Sequence, residues 1–162
     1  DRAWQEQFEI NVMSGVRLSR HFLPKMLEKN WGRIIFISSE CAELVPPDLL
    51  AYSMTKTAVV SIAKGLAQLT KGSGVTVNSV LPGSTLSEGA KAFLKNEAVK
   101  SGKTKEAVEA DFFKDVRTSS LLQRFASVEE VATTIAYYCS PLASATNGSA
   151  IKVDGGSTRG LI

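Results

Sequence analysis

Apolar side chains at Trp4, Phe8, Val12, Val16, Leu23 and Leu27, with others between them, recur at intervals of three and four residues, the stripe of an amphipathic helix. The pattern predicts one long helix from Trp4 to Leu27, stopped near Asn30 and Gly32. The next segment, Arg33-Ile34-Ile35-Phe36-Ile37-Ser38-Ser39, abandons that period for a continuous run of branched and aromatic residues. Such a run suits a strand covered on both faces in a parallel sheet. Pro46 and Pro47 mark a loop, after which helical spacing returns from Leu49 to about Leu69 and is closed by Lys71-Gly72-Ser73-Gly74. Val75 to Leu81 then reads as a second buried strand, stopped by Pro82-Gly83.

From Ser87 to Asp115 the chain is polar and rich in lysine, with Phe93, Leu94, Val108, Phe112 and Phe113 as apolar anchors and a break at Ser101-Gly102. We expect one or two helices here, inserted over a site. Ser127 and Glu130 stand at the spacing of a capping box and open a helix running through Tyr138. Ala150 to Val153, after the Asn147-Gly148 turn, is the third expected strand. Strands alternating with long helices predict a three-layer α/β fold around a parallel sheet. Ligands of such sheets bind beyond the carboxyl ends of the strands. Ser39 and Pro82-Gly83 fall at two such ends, and Tyr52 falls near the start of the helix that follows the first strand.

Composition narrows the partners. A chain of 162 residues, 44% hydrophobic, can bury roughly 70% of the surface its unfolded form exposes, so one globular domain is expected. A net charge of +3, evenly scattered, argues against a nucleic-acid or anionic-membrane partner. The two cysteines, Cys41 and Cys139, lack metal-ligand spacing and His21 is the one histidine, so no metal is expected and both thiols are predicted to be free and buried. No apolar stretch nears the ~20 residues that span a bilayer, and no signal sequence opens the chain. A soluble, reducing, cytoplasmic setting is expected. Asp1 stands where an initiator Met would be and the helical pattern is already running by Trp4, so we expect a chain whose start is missing.

The candidate chemistry sits in Tyr52-Ser53-Met54-Thr55-Lys56. Residues four apart share a helix face, which can bring the Lys56 ammonium beside the Tyr52 hydroxyl. Two unit charges ~4 Å apart at an effective dielectric of ~20 interact by about 4 kcal/mol, or roughly three pKa units. A phenol that titrates near pH ~10 in water would then exchange protons close to neutrality, with desolvation opposing the shift.

Five ordered features now resemble the short-chain dehydrogenase/reductase family. They are Asn11 within Phe8-Glu9-Ile10-Asn11-Val12, the strand end Ile37-Ser38-Ser39, the pair Tyr52 and Lys56, the segment Val77-Asn78-Ser79-Val80-Leu81-Pro82-Gly83, and Asn147-Gly148 with Val153-Asp154-Gly155-Gly156. Ser39 is the aligned serine, thirteen residues before the tyrosine. The resemblance implies a Rossmann-like parallel sheet with flanking helices over residues 1–162, truncated at the N-terminus, with 87–117 as a substrate lid. It implies hydride transfer between NAD or NADP, which the residues do not separate, and a small carbonyl or alcohol substrate. Tyr52 would exchange the proton with the substrate oxygen, Ser39 would hold that oxygen, and Lys56 would acidify Tyr52 and bond the nicotinamide ribose. Asn11 would anchor a water linking Lys56 to solvent. Pro82, Gly83, Thr85 and Ser87 would wrap the nicotinamide carboxamide, Ser87 standing where the family usually has threonine. Homo-oligomers, dimers or tetramers, would form through the helices that start at Trp4 and Leu49.

The resemblance breaks at the glycine-rich turn that cradles the pyrophosphate, which nothing in these residues matches. The strand at Arg33 would then keep an unpaired apolar edge. An enzyme of this type, active or inactive as this fragment, is therefore one expectation; a non-catalytic, oligomerising remnant acting as a binding or structural subunit is the alternative. Among the remaining residues Asn78 is expected to tie loops and strands, His21 to lie on a polar flank, and Tyr137-Tyr138 to pack in a core or interface.

Overall fold

The computed structural model describes residues 1–160; the last two positions of the expected domain lie outside them. The opening helical stretch runs through α1 (Arg2–Phe8), a π turn (Glu9–Met13) and α2 (Ser14–Glu28). Apolar periodicity does not mark the π turn, an insertion type often found at functional sites. Asn30, at φ 48°, turns the chain into β1 (Gly32–Ile37), and its side chain accepts from the Gly74 N–H at 2.8 Å. There follow α3 (Cys41–Leu44), a short 3-10 turn (Pro47–Leu49), α4 (Leu50–Gln68) and β2 (Val75–Pro82). The polar insertion forms α5 (Glu88–Ser101), α6 (Lys105–Asp111) and a second π turn (Phe112–Val116). Gly102 at φ 67° separates the two helices, where a residue without Cβ adopts the left-handed conformation freely. Next come α7 (Val128–Cys139), a 3-10 turn (Pro141–Ala143) and β3 (Ala150–Val153).

The sheet runs β1-β2-β3 and is parallel throughout, Gly32 pairing with Val75 and Ser79 with Ala150. Central β2 is buried along nearly its whole length, its valines and leucine together with Thr76, Asn78 and Ser79, as a strand between two neighbours and two covered faces is. One face carries Phe36 and Val77 against Val12, Val59, Ala63 and Ala67 of the first helical stretch and α4. On β1, Arg33 reaches the Ser140 carbonyl just past α7 (3.3 Å), which places α7 over the other face and completes three layers.

Two expectations need correction. β1 is not covered on both faces: Ile34 and Ile35 are half-buried and Ile37 is 45% exposed, because β1 is the edge of the described sheet and pairs with β2 alone. Cys139 is exposed and only Cys41 is buried, since α7 turns the former outward.

Asn78 is fully buried and does tie segments together. Its amide donates to the Thr146 carbonyl (2.8 Å) and accepts from the Ser149 N–H (2.9 Å), satisfying a polar group that burial would otherwise penalise. His21 lies on an exposed helix face beside Lys25 at 2.9 Å.

The capping box is present at α7, with Ser127 accepting from the Glu130 N–H and Glu130 from the Ser127 N–H. Hydrogen bonds from Arg124 and from the Ser127 backbone hold the Glu130 carboxyl down at about 2, against an ordinary value of 4.5. A carboxylate depressed by folding stabilises the native state above its unfolded pKa and loses that contribution as pH falls through the folded one. The difference in unfolding midpoint between the parent chain and Glu130→Gln is thus expected to stay constant above pH 4.5 and to vanish by about 2. A difference independent of pH across that window would show that the carboxylate charge has no part in the cap.

Candidate active site

β1 and β2 carry the chain to one edge of the sheet, and the candidate residues gather there. Beyond β1, Ser38 is fixed by its N–H to the Val80 carbonyl (2.8 Å) and its hydroxyl to the Lys56 carbonyl (2.7 Å). Ser39 is buried; its hydroxyl accepts from the Cys41 N–H (3.1 Å) and lies near the Tyr52 phenol, whose pKa it lowers. Tyr52 lies in the first turn of α4 and Lys56 one turn further. The Lys56 ammonium donates to the Ile37 carbonyl at 3.0 Å and stands 5.4 Å from the Tyr52 ring centroid. Asn11, in the π turn, donates to the Thr55 hydroxyl (3.0 Å), which donates to the Tyr52 carbonyl (2.7 Å). Asn11 thus reaches the Tyr52 turn through Thr55.

The electrostatics differ from the sequence expectation. Burial raises the Tyr52 pKa above its ordinary 10.0, outweighing the lowering effect of Ser39, and Cys41 and Glu40 add smaller increments. Burial also lowers the Lys56 pKa. The reason is geometric: the ammonium is anchored on the Ile37 carbonyl and over the ring face rather than at the phenol oxygen, so desolvation prevails. In this arrangement Tyr52 holds its proton at neutral pH.

Pro82 ends β2, and Gly83 donates to the Val153 carbonyl (3.0 Å). A Cβ on Gly83 would lie 2.7 Å from Asp154 Cα and 2.8 Å from the Asp154 oxygen, so this close crossing of two chain segments admits only glycine. Thr85 bridges to Ala126 and donates its hydroxyl to the Gly83 carbonyl (2.9 Å), which leaves the backbone of 83–86 shaped as a ledge beside the β2 terminus. Ser87 caps α5, its hydroxyl accepting from the Ala90 N–H at 3.3 Å. Sequence reasoning had given that hydroxyl to a cofactor, and here it has a structural partner.

Sequence reasoning missed Glu40 and Arg117. Glu40 directly follows Ser39 and is 3% exposed, and its Oε1 accepts from Arg117 Nε at 2.9 Å. No spacing rule signals a pair separated by so much chain.

A phenol, an ammonium, a serine hydroxyl and a backbone ledge form a donor set that fits the nicotinamide half of a dinucleotide and a carbonyl oxygen beside it. Among the described residues no group of His, Cys, Asp and Glu could hold a metal ion, and no helix is long and apolar enough to cross a membrane.

Comparison with known proteins finds oxidoreductases among those similar to this chain. The family model described as enoyl-(acyl carrier protein) reductase matches residues 1–158. The uncharacterized oxidoreductase YvrD of Bacillus subtilis is 50% identical over 161 residues, which are 99% of this chain and 61% of that protein. The 3-oxoacyl-[acyl-carrier-protein] reductase FabG of Aquifex aeolicus is 33% identical over 94% of the chain and 56% of its own length. In structure, L-sorbose reductase from Gluconobacter frateurii, complexed with NADPH and L-sorbose, superposes with a TM-score of 0.91 at 31% identity, over 99% of this chain and 60% of that one. The chain spans about 60% of the length of these relatives.

Proposed function

Because this chain belongs to the short-chain dehydrogenase/reductase family, we propose that it carries the catalytic side of an oxidoreductase that moves hydride between NAD or NADP and a carbonyl or alcohol. The observation that carries the proposal is the meeting of Ser39, Tyr52 and Lys56 at the carboxyl ends of β1 and β2, where ligands of such sheets bind.

The nicotinamide would supply or accept the hydride; the protein's part is to place and protonate the substrate. Ser39 donates a hydrogen bond to the substrate oxygen and steadies the charge that grows on it. Tyr52, held protonated by burial, gives its proton to that oxygen in reduction and takes it back in oxidation. Lys56 supplies positive charge on the Tyr52 ring face and is the residue for the nicotinamide ribose. Asn11 and Thr55 fix the Tyr52 turn. Pro82, Gly83 and Thr85 form the ledge for the carboxamide, with Ser87 at its end. The insertion 87–117 is the substrate lid.

A homo-oligomer is part of the same proposal. It is supported by exposed Trp4, Phe8 and Met54, which line one groove between α1 and α4. The second reading, a subunit that associates without turnover, is favoured by another apolar groove, between α2 and the free edge of β1, lined by Leu18, Phe22, Met26 and Ile34 to Phe36.

Calorimetric titration with NADH and then NADPH separates the two, on a sample whose mass is fixed by sedimentation. Saturable binding of either cofactor to a dimer or larger species is the expected result and names the nicotinamide used. A folded sample that binds neither would leave the non-catalytic reading standing.

A further inference from the structure

Glu40 is a buried carboxylate that the proposed chemistry leaves unused. Its N–H is tied to the Pro82 carbonyl (2.8 Å), so its backbone joins the ends of β1 and β2. Oε1 accepts from Arg117 Nε (2.9 Å) and from the Ser84 hydroxyl (3.4 Å). Oε2 has no hydrogen-bond partner among the described residues and lies 2.8 Å from where a Cβ on Gly83 would stand. The Glu40 and Arg117 side chains are only 4% and 16% exposed. Burial this deep sets the pair apart from surface ion pairs such as Arg17 with Glu9, whose side chains are more than half exposed.

Arg117 also belongs to the insertion. It directly follows the π turn Phe112–Val116, donates its N–H to the Phe112 carbonyl (2.9 Å), and sets its guanidinium 5.9 Å from the Phe112 ring. Phe112 stacks on Phe125 and meets Phe113 edge-on, in the cluster of Leu94, Val108, Phe113 and Phe125 that is the insertion's own core. One side chain thus touches that core and the residue next to Ser39. A desolvated charge pair gains little net stability over apolar packing, whereas loss of one partner strands a buried charge, so its value here is geometric.

We propose that Glu40 and Arg117 are positioning residues that clasp the foot of the 87–117 insertion to the loop carrying Ser39, holding the lid and the serine hydroxyl as one unit. This rests on the reading of Ser39 as the hydroxyl that holds the substrate oxygen. Glu40 acts through Ser39 and through Arg117 at the foot of the lid, without touching substrate.

Hydrogen exchange on the full chain tests the clasp without needing turnover. Glu40→Gln and Arg117→Met are each expected to speed exchange across α5 and α6 by about tenfold or more, as a stranded buried charge favours local opening. The double variant should go no further than either single one, Arg117→Lys should restore part of the protection, and amides of β2 and α4 should be unmoved. Unchanged protection in α5 and α6, or acceleration spread evenly over every element, would overturn the clasp. In turnover assays the loss should fall on kcat/KM for the carbonyl, with cofactor affinity held; equal loss of cofactor affinity would also overturn it. A parent chain that turns over nothing defeats the proposed reaction and leaves the exchange result as the measure of the clasp.

Discussion

Tyr52→Phe is expected to lower kcat by about 10²–10⁴-fold, the usual worth of a placed general acid, while cofactor affinity and the unfolding midpoint stay near those of the parent. Phenylalanine keeps the half-buried ring and its approach to the Lys56 ammonium; what it removes is the hydroxyl near Ser39. The accompanying pH dependence has a definite sign. Burial holds the phenol above its ordinary 10.0, so Tyr52 is loaded with its proton throughout the neutral range. Carbonyl reduction should therefore stay level through neutrality, and alcohol oxidation, which needs the proton acceptor, should climb as pH rises. Steady-state rates in both directions check this. Turnover retained by Tyr52→Phe would remove Tyr52 from the proton-transfer step.

The second large effect is expected at Gly83. An alanine methyl would stand 2.7 Å from Asp154 Cα, 2.8 Å from the Asp154 oxygen and 2.8 Å from Glu40 Oε2. Two of the three obstacles are backbone, which cannot rotate aside. Overpacking of this kind costs about 1–3 kcal/mol, and relief requires the Asp154 segment or the 83–86 ledge to shift. Asp154 is itself pinned: it accepts from the N–H groups of Gly156 and Thr158 and from the Thr158 hydroxyl. Gly83→Ala should lower the thermal midpoint and weaken cofactor binding together. Gly65→Ala, in α4 with open space around it, is the control, and should stabilise by roughly 0.5–1 kcal/mol through helix propensity. Similar midpoints for the two variants would mean that the Asp154 contact yields without cost.

Much of this was legible in the chain because local chemistry and tertiary placement agree. β2 is read from its branched residues and the Pro82-Gly83 stop, and is the buried centre of the sheet. Ser127 and Glu130 announce the start of α7, and Gly102 the break between α5 and α6. The candidates Asn11, Ser39, Tyr52 and Lys56 were read from spacing and from the family resemblance; the fold brings Ser39, Tyr52 and Lys56 to one sheet edge and joins Asn11 to the Tyr52 turn through Thr55. The misses have physical causes as well. β1 forms the sheet edge expected of it, but carries the sequence of a strand covered on both faces and is only half-buried, since coverage depends on neighbours its own residues do not encode. The π turn that carries Asn11 is a register change that apolar periodicity does not mark. Tyr52 is raised rather than lowered, because spacing reports that Lys56 is near but not that its ammonium is spent on the Ile37 carbonyl. Glu40 and Arg117 are brought together by the return of the insertion to the sheet, a contact between distant residues that only the fold creates.

Hydride transfer itself is measured by incubating the chain with a reduced nicotinamide cofactor deuterated at its reactive carbon and a panel of ketones and aldehydes, with Tyr52→Phe alongside. Deuterium is expected on the carbonyl carbon of at least one product from the parent chain and at background from the variant. Saturable cofactor binding with no label passed to any carbonyl, or equal label from both proteins, would contradict the assignment of this site to proton-coupled hydride transfer.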